Sequence, residues 1–220
     1  MERTIRVTGK GKVSVKPDMI RLLLNIEGVF KDYEKTLQQS ADQAEQLRDC
    51  FEKLGFKGSD LKTLSFNIDT ENERYNDRLG GWKTKFVGYK FRHAMKIEFE
   101  SDNKVLGKVL YALAHCNVKT EFHIQYTIKD VESAKNKLLG RAVTDSKEKA
   151  RVLSEAAGVK LKDIINIDYS WGEIEFVTRP MNRAMTLEAS RVASTASYDI
   201  NIEADDIVVE DTVTVVWEIE

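Results

Sequence analysis

Three histidines and two cysteines are the residues of this sequence best suited to catalysis or metal binding. His93, His115 and His123 show neither the HxH nor the HExxH spacing from which zinc sites are commonly built. Cys50 and Cys116 form no CxxC pair, and both fall on predicted helices, where a free cysteine is usually a small buried apolar residue. The sequence therefore predicts no metal site, no cofactor and no disulfide framework.

A base and a nucleophile stand next to each other in His115-Cys116. Neighbours on a helix point about 100° apart, so this pair does not form a catalytic dyad by itself. His93 shares the apolar face of its predicted strand, which favours a hydrogen-bonded core histidine over a metal ligand, and His123 falls on a polar face. We therefore expect a protein that is not an enzyme.

The run Gly9-Lys10-Gly11-Lys12-Val13 has the composition of a phosphate-binding loop. A Walker motif, however, requires Ser or Thr after the Gly-Lys pair, and Val13 stands there instead. Glycine also serves where the backbone must bend. The pattern accordingly favours a bend or bulge between two short strands.

The two ends of the chain carry opposite charges. Residues 1–16 contain five basic residues against Glu2, whereas residues 203–220 contain seven acidic residues and no Lys or Arg. Because opposite charges on neighbouring strands favour pairing, we expect residues 3–16 to lie against residues 207–219, within one subunit or between two.

Within the acidic end, a cluster of carboxylates could bind a hard cation, but it lacks the glycine-turned loop of an EF-hand. A solvated or salt-bridged edge is the favoured interpretation. We expect part of it to be an oligomer contact. The cluster consists of Glu203, Asp205, Asp206, Glu210 and Asp211, of which Asp205, Asp206, Glu210 and Asp211 are the candidate contact residues.

Residues 130–171, the most regular part of the sequence, predict a helix, a glycine stop and a strand. Asp130 suits the N-cap, and Gly158 stands where a helix ends in a left-handed residue. Ile165 to Trp171 then alternate in polarity, as in a strand with one buried face. The apolar stripe of the helix is Val131, Ala134, Leu138, Ala142, Ala150, Leu153 and Ala157.

A similar unit occupies residues 32–69, where Gly55 follows a helix and an alternating strand comes after it. Helix, stop, spacing and strand together favour a duplicated supersecondary unit over two ordinary helix-to-strand connections. The apolar stripe of this earlier helix is Leu37, Ala41, Ala44, Leu47, Phe51 and Leu54.

The order of predicted elements defines the fold class. Residues 18–128 read strand, helix, strand, strand, helix, strand, the split βαβ pattern of ferredoxin-like units, with residues 72–85 as its hairpin connection. The unit at 130–171 extends this pattern by one helix and one strand. We expect a two-layer α+β fold with helices on one face of a largely antiparallel sheet. Residues 172–197 are predicted to be a flexible or partly helical insertion.

Several short stretches occur in an order and spacing that match a known family. They are Val7-Thr8-Gly9-Lys10-Gly11 with Val13, Val15-Lys16-Pro17-Asp18, Gly88-Tyr89, the helix from Ala142 to Ala157 with Gly158-Val159-Lys160-Leu161, and Val213-Thr214-Val215. On these stretches the chain resembles the SIMPL-domain family, which includes bacterial periplasmic or surface immunogenic proteins and an animal kinase-associated signalling protein. The resemblance implies an α+β fold, no established catalytic residues to carry over, frequent assembly into rings or larger homo-oligomers, and a loose association with stress tolerance. We expect a single SIMPL-like domain over 1–220, with two subdomains that share the repeated unit as the open alternative.

Composition limits the partners. Lys+Arg 34 against Asp+Glu 36 gives a net charge of −2, which argues against a dedicated nucleic-acid binder, and no apolar run is long enough to span a membrane. The sequence begins without an apolar signal region, so we expect a cytoplasmic protein as written, or a periplasmic or envelope protein if a leader has been removed.

Two functions agree with these observations. The first is a non-enzymatic, self-assembling scaffold or interaction protein, a homo-oligomer whose protein partners the sequence does not identify. The alternative is a small-ligand binding module with a cleft near the 72–85 hairpin or the 170–197 segment, where Trp82, Trp171 and Phe176 would line a pocket.

Overall fold

A computed structural model describes residues 3–76, 81–169, 174–178 and 197–220. The predicted insertion at 172–197 therefore lies outside the described residues, apart from 174–178 and 197. The helices and strands in chain order are β1 (Thr4–Val15), β2 (Met19–Phe30), α1 (Tyr33–Glu52), β3 (Lys62–Asn76), β4 (Trp82–Glu100), α2 (Asn103–Ala114), β5 (Glu121–Thr127), α3 (Val131–Ala157), β6 (Leu161–Asp168) and β7 (Ile207–Ile219).

The chain divides into two compact units, which we call the terminal unit and the central unit. The terminal unit consists of Met1–Asp18, Thr127–Met181 and Ala204–Glu220, and the central unit consists of Met19–Tyr126 and Asn182–Glu203. Each unit contains one antiparallel sheet with helix packed on it, so the predicted α+β class with helix and sheet layers is confirmed.

The central unit has the predicted split βαβ topology. Its strands lie in the order β3-β4-β2-β5, and α1 packs against β2 and β4. Alternate side chains of β2 and β4 point into the core because successive residues of a strand face opposite sides of the sheet. The core includes Ile20, Leu22, Leu24, Ile26, Leu47, Phe51, Phe91, Met95, Ile97, Leu106 and Val109.

The terminal unit brings the two ends of the chain together. Its strands lie in the order β1-β7-β6, and β1 pairs with β7 antiparallel from Thr4 opposite Glu218 to Val15 opposite Ile207. The predicted pairing of the basic and acidic ends is therefore confirmed, and it occurs within one subunit. Across this ladder, the Nζ atom of Lys10 lies 2.6 Å from a carboxylate oxygen of Glu210.

The bend predicted at Gly9-Lys10-Gly11 is wrong, because β1 runs without interruption through these residues. Its glycines serve a different purpose. A Cβ atom at Gly9 would collide with the backbone of α3 at the Ala142 carbonyl oxygen, and one at Gly11 would collide with the Leu138 carbonyl oxygen. The glycines therefore let α3 pack unusually close to β1.

The buried stripe of each long helix differs from the apolar stripe read from the sequence. In α3 the buried residues are four apart and include Ser146 and Ser154, whereas the predicted Leu153 is 50% exposed. In α1, Thr36 and Ser40 are buried where Leu37 was expected. A search for apolar periodicity misses such positions because small hydroxyl side chains can be buried once their hydrogen bonds are satisfied.

The predicted start and end of α3 are confirmed. The Asp130 side chain accepts a hydrogen bond from the Ser133 amide at 2.9 Å. Gly158 has φ +68, and the Val159 amide donates to the Ser154 carbonyl while the Gly158 amide donates to the Glu155 carbonyl, the two bonds of a Schellman motif. The same two hydrogen bonds form after α1, where the Phe56 and Gly55 amides are the donors.

The predicted hairpin is confirmed by the antiparallel pairing of β3 with β4, but its connection is shorter than the predicted 72–85, since β3 continues to Asn76 and β4 begins at Trp82. The two strands form a long, exposed ribbon that we call the β3–β4 ribbon. Ladder hydrogen bonds join backbone groups, so a strand can continue through polar residues that show no hydrophobic alternation. Polarity alone therefore predicted a loop where the structure has paired strands.

The buried face predicted for the strand after α3 is also wrong. β6 is an edge strand, and its Ile164, Ile165 and Ile167 side chains are 42%, 48% and 48% exposed. α3 packs mainly on β1 and β7, which leaves β6 largely uncovered. Trp171, the last residue of the predicted strand, lies outside the described residues.

Candidate functional site

An exposed aromatic surface extends along the β3–β4 ribbon, and we call its residues Tyr33, Trp82, Phe86 and Tyr89 the ribbon patch. The ring of Tyr89 contacts those of Tyr33 and Phe86 edge-on, with ring centroids 5.4 Å apart in both pairs. Trp82 is 73% exposed, and Tyr33 and Phe86 are each about half exposed. Exposed aromatic side chains grouped on one ribbon are typical of interaction sites.

A β-bulge places these rings on one face. The pairing of β3 with β4 shifts between Glu71 and Asn72, which face Gly88 and Phe86 respectively, so that Val87 is an extra residue in β4. One extra residue reverses the alternation of side chains along a strand. The contact between Phe86 and Tyr89 shows that the two rings lie on the same face despite their odd spacing.

A cavity of about 690 Å³ lies in the terminal unit, between residues 174–178 and the beginning of β7. Its walls combine apolar side chains with carboxylates. The Thr127 hydroxyl donates to the Phe176 carbonyl at 2.6 Å and holds the 174–178 segment in place. The lining residues are Ile174, Glu175, Val177, Thr178, Asp205, Asp206, Ile207, Val208, Val209 and Glu210.

The acidic residues singled out in the sequence make contacts within the chain. Glu210 pairs with Lys10 and lies 3.6 Å from Lys12. The hydrogen bond from Lys10 lowers the pKa of Glu210 below its usual value, with the charge of Lys12 adding to the effect. Asp206 accepts a hydrogen bond from the Ser14 hydroxyl at 3.0 Å, and Asp211 accepts one from the Thr212 amide at 2.7 Å.

The three predicted pocket residues have different environments. Trp82 belongs to the ribbon patch of the central unit. Phe176 is 2% exposed and packs with Ile128, Ala134 and Ile207 in the core of the terminal unit, next to the cavity but not in its lining. Trp171 lies outside the described residues.

His93 is a half-buried histidine with both ring nitrogens bonded to hydroxyl groups. Its Nδ1 atom lies 3.4 Å from the Ser40 hydroxyl, and its Nε2 atom lies 2.8 Å from the Thr63 hydroxyl. Burial, followed by the charge of Arg48, lowers the pKa of His93. The prediction of a hydrogen-bonded histidine is confirmed, although the ring is half-buried rather than part of the core.

The two cysteines of the central unit contact each other, with their Sγ atoms 2.9 Å apart. Both are partly exposed, so the expectation of buried thiols is wrong. Cys50 lies near the end of α1, but Cys116 follows the end of α2 rather than lying on it. No sequence signal predicts this contact, because the two residues belong to different elements and no local spacing links them.

Metal sites and membrane-spanning helices each require a recognisable arrangement of residues. No group of three or more His, Cys, Asp or Glu in the described ranges is arranged to hold a metal ion. None of the helices in the described part of the chain has the length and apolar character needed to cross a bilayer.

The fold and site define an α+β protein of two compact units with exposed aromatic side chains on the β3–β4 ribbon. The chain belongs to the SIMPL family, whose description is "Protein of unknown function (DUF541)" and whose family model matches residues 5–217. It is similar to the 26 kDa periplasmic immunogenic protein of Brucella melitensis biotype 1, with 24% identity over 216 residues that cover 98% of this chain and 84% of the relative. The protein of the same name from Brucella abortus strain S19 matches with the same identity and coverage.

Proposed function

We propose that this protein is a self-assembling scaffold or interaction protein whose subunits meet through the ribbon patch. The observation that carries the proposal is the exposure of the aromatic rings at Trp82 and Phe86 on a paired, ordered ribbon. Monomeric soluble proteins rarely expose contiguous apolar surface without a binding role, and aromatic side chains are enriched where proteins associate. Open strand edges such as β6 offer a second means of association.

The proposal assigns no catalytic role to the residues best suited to one. Both ring nitrogens of His93 are occupied by hydroxyl groups, and the Nδ1 atom of His115 donates to the Tyr111 carbonyl at 2.8 Å. A general base needs a free ring nitrogen within reach of a nucleophile or substrate. The two contacts of His93 favour a structural role for it, whereas the bond of His115 engages its Nδ1 atom alone and carries no such argument.

Light scattering coupled to size exclusion tests the scaffold proposal. We expect a mass that is a multiple of 25.1 kDa at micromolar concentration. Trp82→Ser combined with Phe86→Ser should lower that mass, while Val152→Ser should not, because Val152 is an exposed apolar residue of α3 that does not belong to the ribbon patch. A wild-type monomer, or an oligomer that the double variant leaves intact, would contradict the role of the ribbon patch.

A small-ligand binding module is the second candidate, and the cavity of about 690 Å³ in the terminal unit favours it. Its volume is in the range of ordinary ligand pockets. A ligand that binds the folded state raises the melting temperature by mass action. A thermal-shift screen of small metabolites should then yield hits that Val177→Trp, which would fill the cavity, abolishes; hits that survive this variant would place the binding elsewhere.

We also propose a periplasmic location and a stress-related role. The location is supported by the relatives, which are called periplasmic immunogenic proteins, and the stress role is supported by the family resemblance. Cell fractionation of the native host with an antibody against the chain tests the location. Comparing growth of a deletion strain and its parent under oxidative stress tests the role, and equal growth would count against it.

A further inference from the structure

We propose that Cys50 and Cys116 are the two halves of an intramolecular disulfide that joins α1 to the segment after α2, with a disulfide-bearing thiol oxidant as the electron acceptor. The inference goes beyond the scaffold function and does not depend on it. The chain places the two sulfurs in direct contact within the central unit, although nothing in their sequence spacing requires it.

The geometry brings the thiols together before any bond forms. The Cys50 thiol donates to the Cys116 sulfur at 2.9 Å, and the Cys116 sulfur lies 4.0 Å from the Gln46 carbonyl oxygen on the preceding turn of α1. A bonded pair of sulfurs lies about 2.05 Å apart, so closure needs only a small movement. Cys116 follows the end of α2 and can make that movement without unwinding a helix.

The reaction needs access and one external oxidant. Both cysteines are partly exposed, so a small disulfide can reach them. The Cys116 thiolate attacks one sulfur of oxidised glutathione, which forms a mixed disulfide and releases one glutathione thiolate. The Cys50 thiolate then attacks the Cys116 sulfur and releases the second. Two protein thiols lose two electrons and two protons in all, and glutathione disulfide becomes two molecules of glutathione.

The environment of Cys50 indicates a structural bond rather than a catalytic one. Burial raises the pKa of Cys50 to about 11, and its hydrogen bond to Cys116 adds to the effect. Catalytic and redox-sensing cysteines instead have pKa values lowered by positive charges or helix N-termini. A raised pKa leaves little Cys50 thiolate to attack the oxidant directly, and contact with the Cys116 sulfur is what favours its attack on the mixed disulfide.

The bond would brace most of the central unit. The loop it closes runs from the end of α1 through β3, β4 and α2, and crosslinks that close long loops constrain the unfolded chain most strongly. α1 and α2 already pack together, so the crosslink fixes an arrangement that the folded state has. The bond should therefore stabilise the fold and leave its conformation unchanged.

The test treats the reduced, full-length protein with excess oxidised glutathione. We expect both free thiols to disappear, the mass to fall by two hydrogen atoms, a peptide linking Cys50 to Cys116 to appear, and the melting temperature to rise by roughly 5–15 °C. Cys50→Ser and Cys116→Ser serve as matched controls. Neither should show a comparable rise in melting temperature, and Cys50→Ser should retain one glutathione adduct, on Cys116.

Several outcomes would overturn the proposal. They are two thiols that stay free, glutathione adducts on both cysteines, crosslinks only between subunits, and a linked peptide with an unchanged or lowered melting temperature. Because wild-type protein alone supplies each of these readouts, the test remains decisive if a serine variant fails to fold.

Discussion

His93 connects two elements of the central unit through its ring nitrogens, which contact Ser40 on α1 and Thr63 on β3. A neutral imidazole can donate one hydrogen bond and accept another, and hydroxyl groups can complement either tautomer. Protonation would add a charge to a half-buried ring near Arg48, which is the reason that the pKa of His93 is lowered. The histidine should therefore make stability depend on pH.

The sign of that dependence follows from proton binding in the two states. The unfolded chain takes up a proton near pH 6.5, whereas folded His93 takes one up only at lower pH. Stability should be unaffected by His93 above about pH 6.5 and should fall as the pH drops below it. We expect His93→Gln to reduce this fall, and exposed His123→Gln to leave it unchanged, in urea unfolding at a series of pH values. Equal pH slopes for wild type and His93→Gln would contradict this assignment.

For single residues, the sequence predicted the environment of a side chain better than its contacts with residues distant in the chain. The position of His93 on an apolar strand face was enough to predict a hydrogen-bonded histidine, because strand alternation is local. The contact of Cys50 with Cys116 depends on how α1 and α2 pack, which no local pattern encodes. The burial of hydroxyl residues such as Ser146 was not predicted for the same reason, because it depends on the carbonyl group that accepts the hydrogen bond of each hydroxyl.

Close packing of α3 on β1 is the main element-scale feature of the terminal unit. Gly9 and Gly11 face the α3 backbone with no room for a side chain, and Ala142 is the buried helix residue above them. Small residues on both surfaces bring the backbones together and allow Ser146 to donate to the Val7 carbonyl at 3.4 Å. The separation of helix and sheet is thus set by glycine and small side chains.

Gly9→Ala and Gly140→Ala should have opposite effects on stability. The first forces a methyl group against the Ala142 carbonyl, and overpacking of this kind costs about 1–3 kcal/mol. The second adds a methyl group in open space within α3 and should stabilise the protein by about 0.5–1 kcal/mol, because alanine is the better helix residue. Urea unfolding followed by circular dichroism measures both. A neutral Gly9→Ala would show that α3 does not depend on this close approach.

The ends of elements were predictable, but their continuity was not. Asp130 and Gly158 act through bonds to their own helix, so a single sequence contains the whole signal. The continuity of β1 through Gly9 and Gly11 depends on its ladder with β7, at the other end of the chain. The β3–β4 ribbon likewise depends on backbone pairing, which the pattern of its polar side chains does not predict.

At the scale of the whole molecule, the chain closes on itself through its ends. The order of elements predicted the split βαβ topology of the central unit, and the charges of the two ends predicted the ladder between β1 and β7. The exposure of the ribbon patch and of β6 was not predictable, because a sequence pattern does not show which of the apolar faces of the strands are covered by a helix. Those uncovered faces are the surfaces on which the proposed assembly depends.

Charge reversal at Glu210 distinguishes two roles of this residue, pairing within one subunit and contact between subunits. It contacts Lys10 and Lys12 across the β1–β7 ladder, so Glu210→Lys should place three positive charges together and lower the melting temperature at low salt. The loss should shrink at high salt, because ions screen exposed charges, and Lys10→Glu with Lys12→Glu in the same chain should restore the melting temperature. Light scattering should find the oligomer mass unchanged in all three proteins. An oligomer that dissociates while the melting temperature stays constant would instead place Glu210 at a subunit contact, together with Asp205, Asp206 and Asp211.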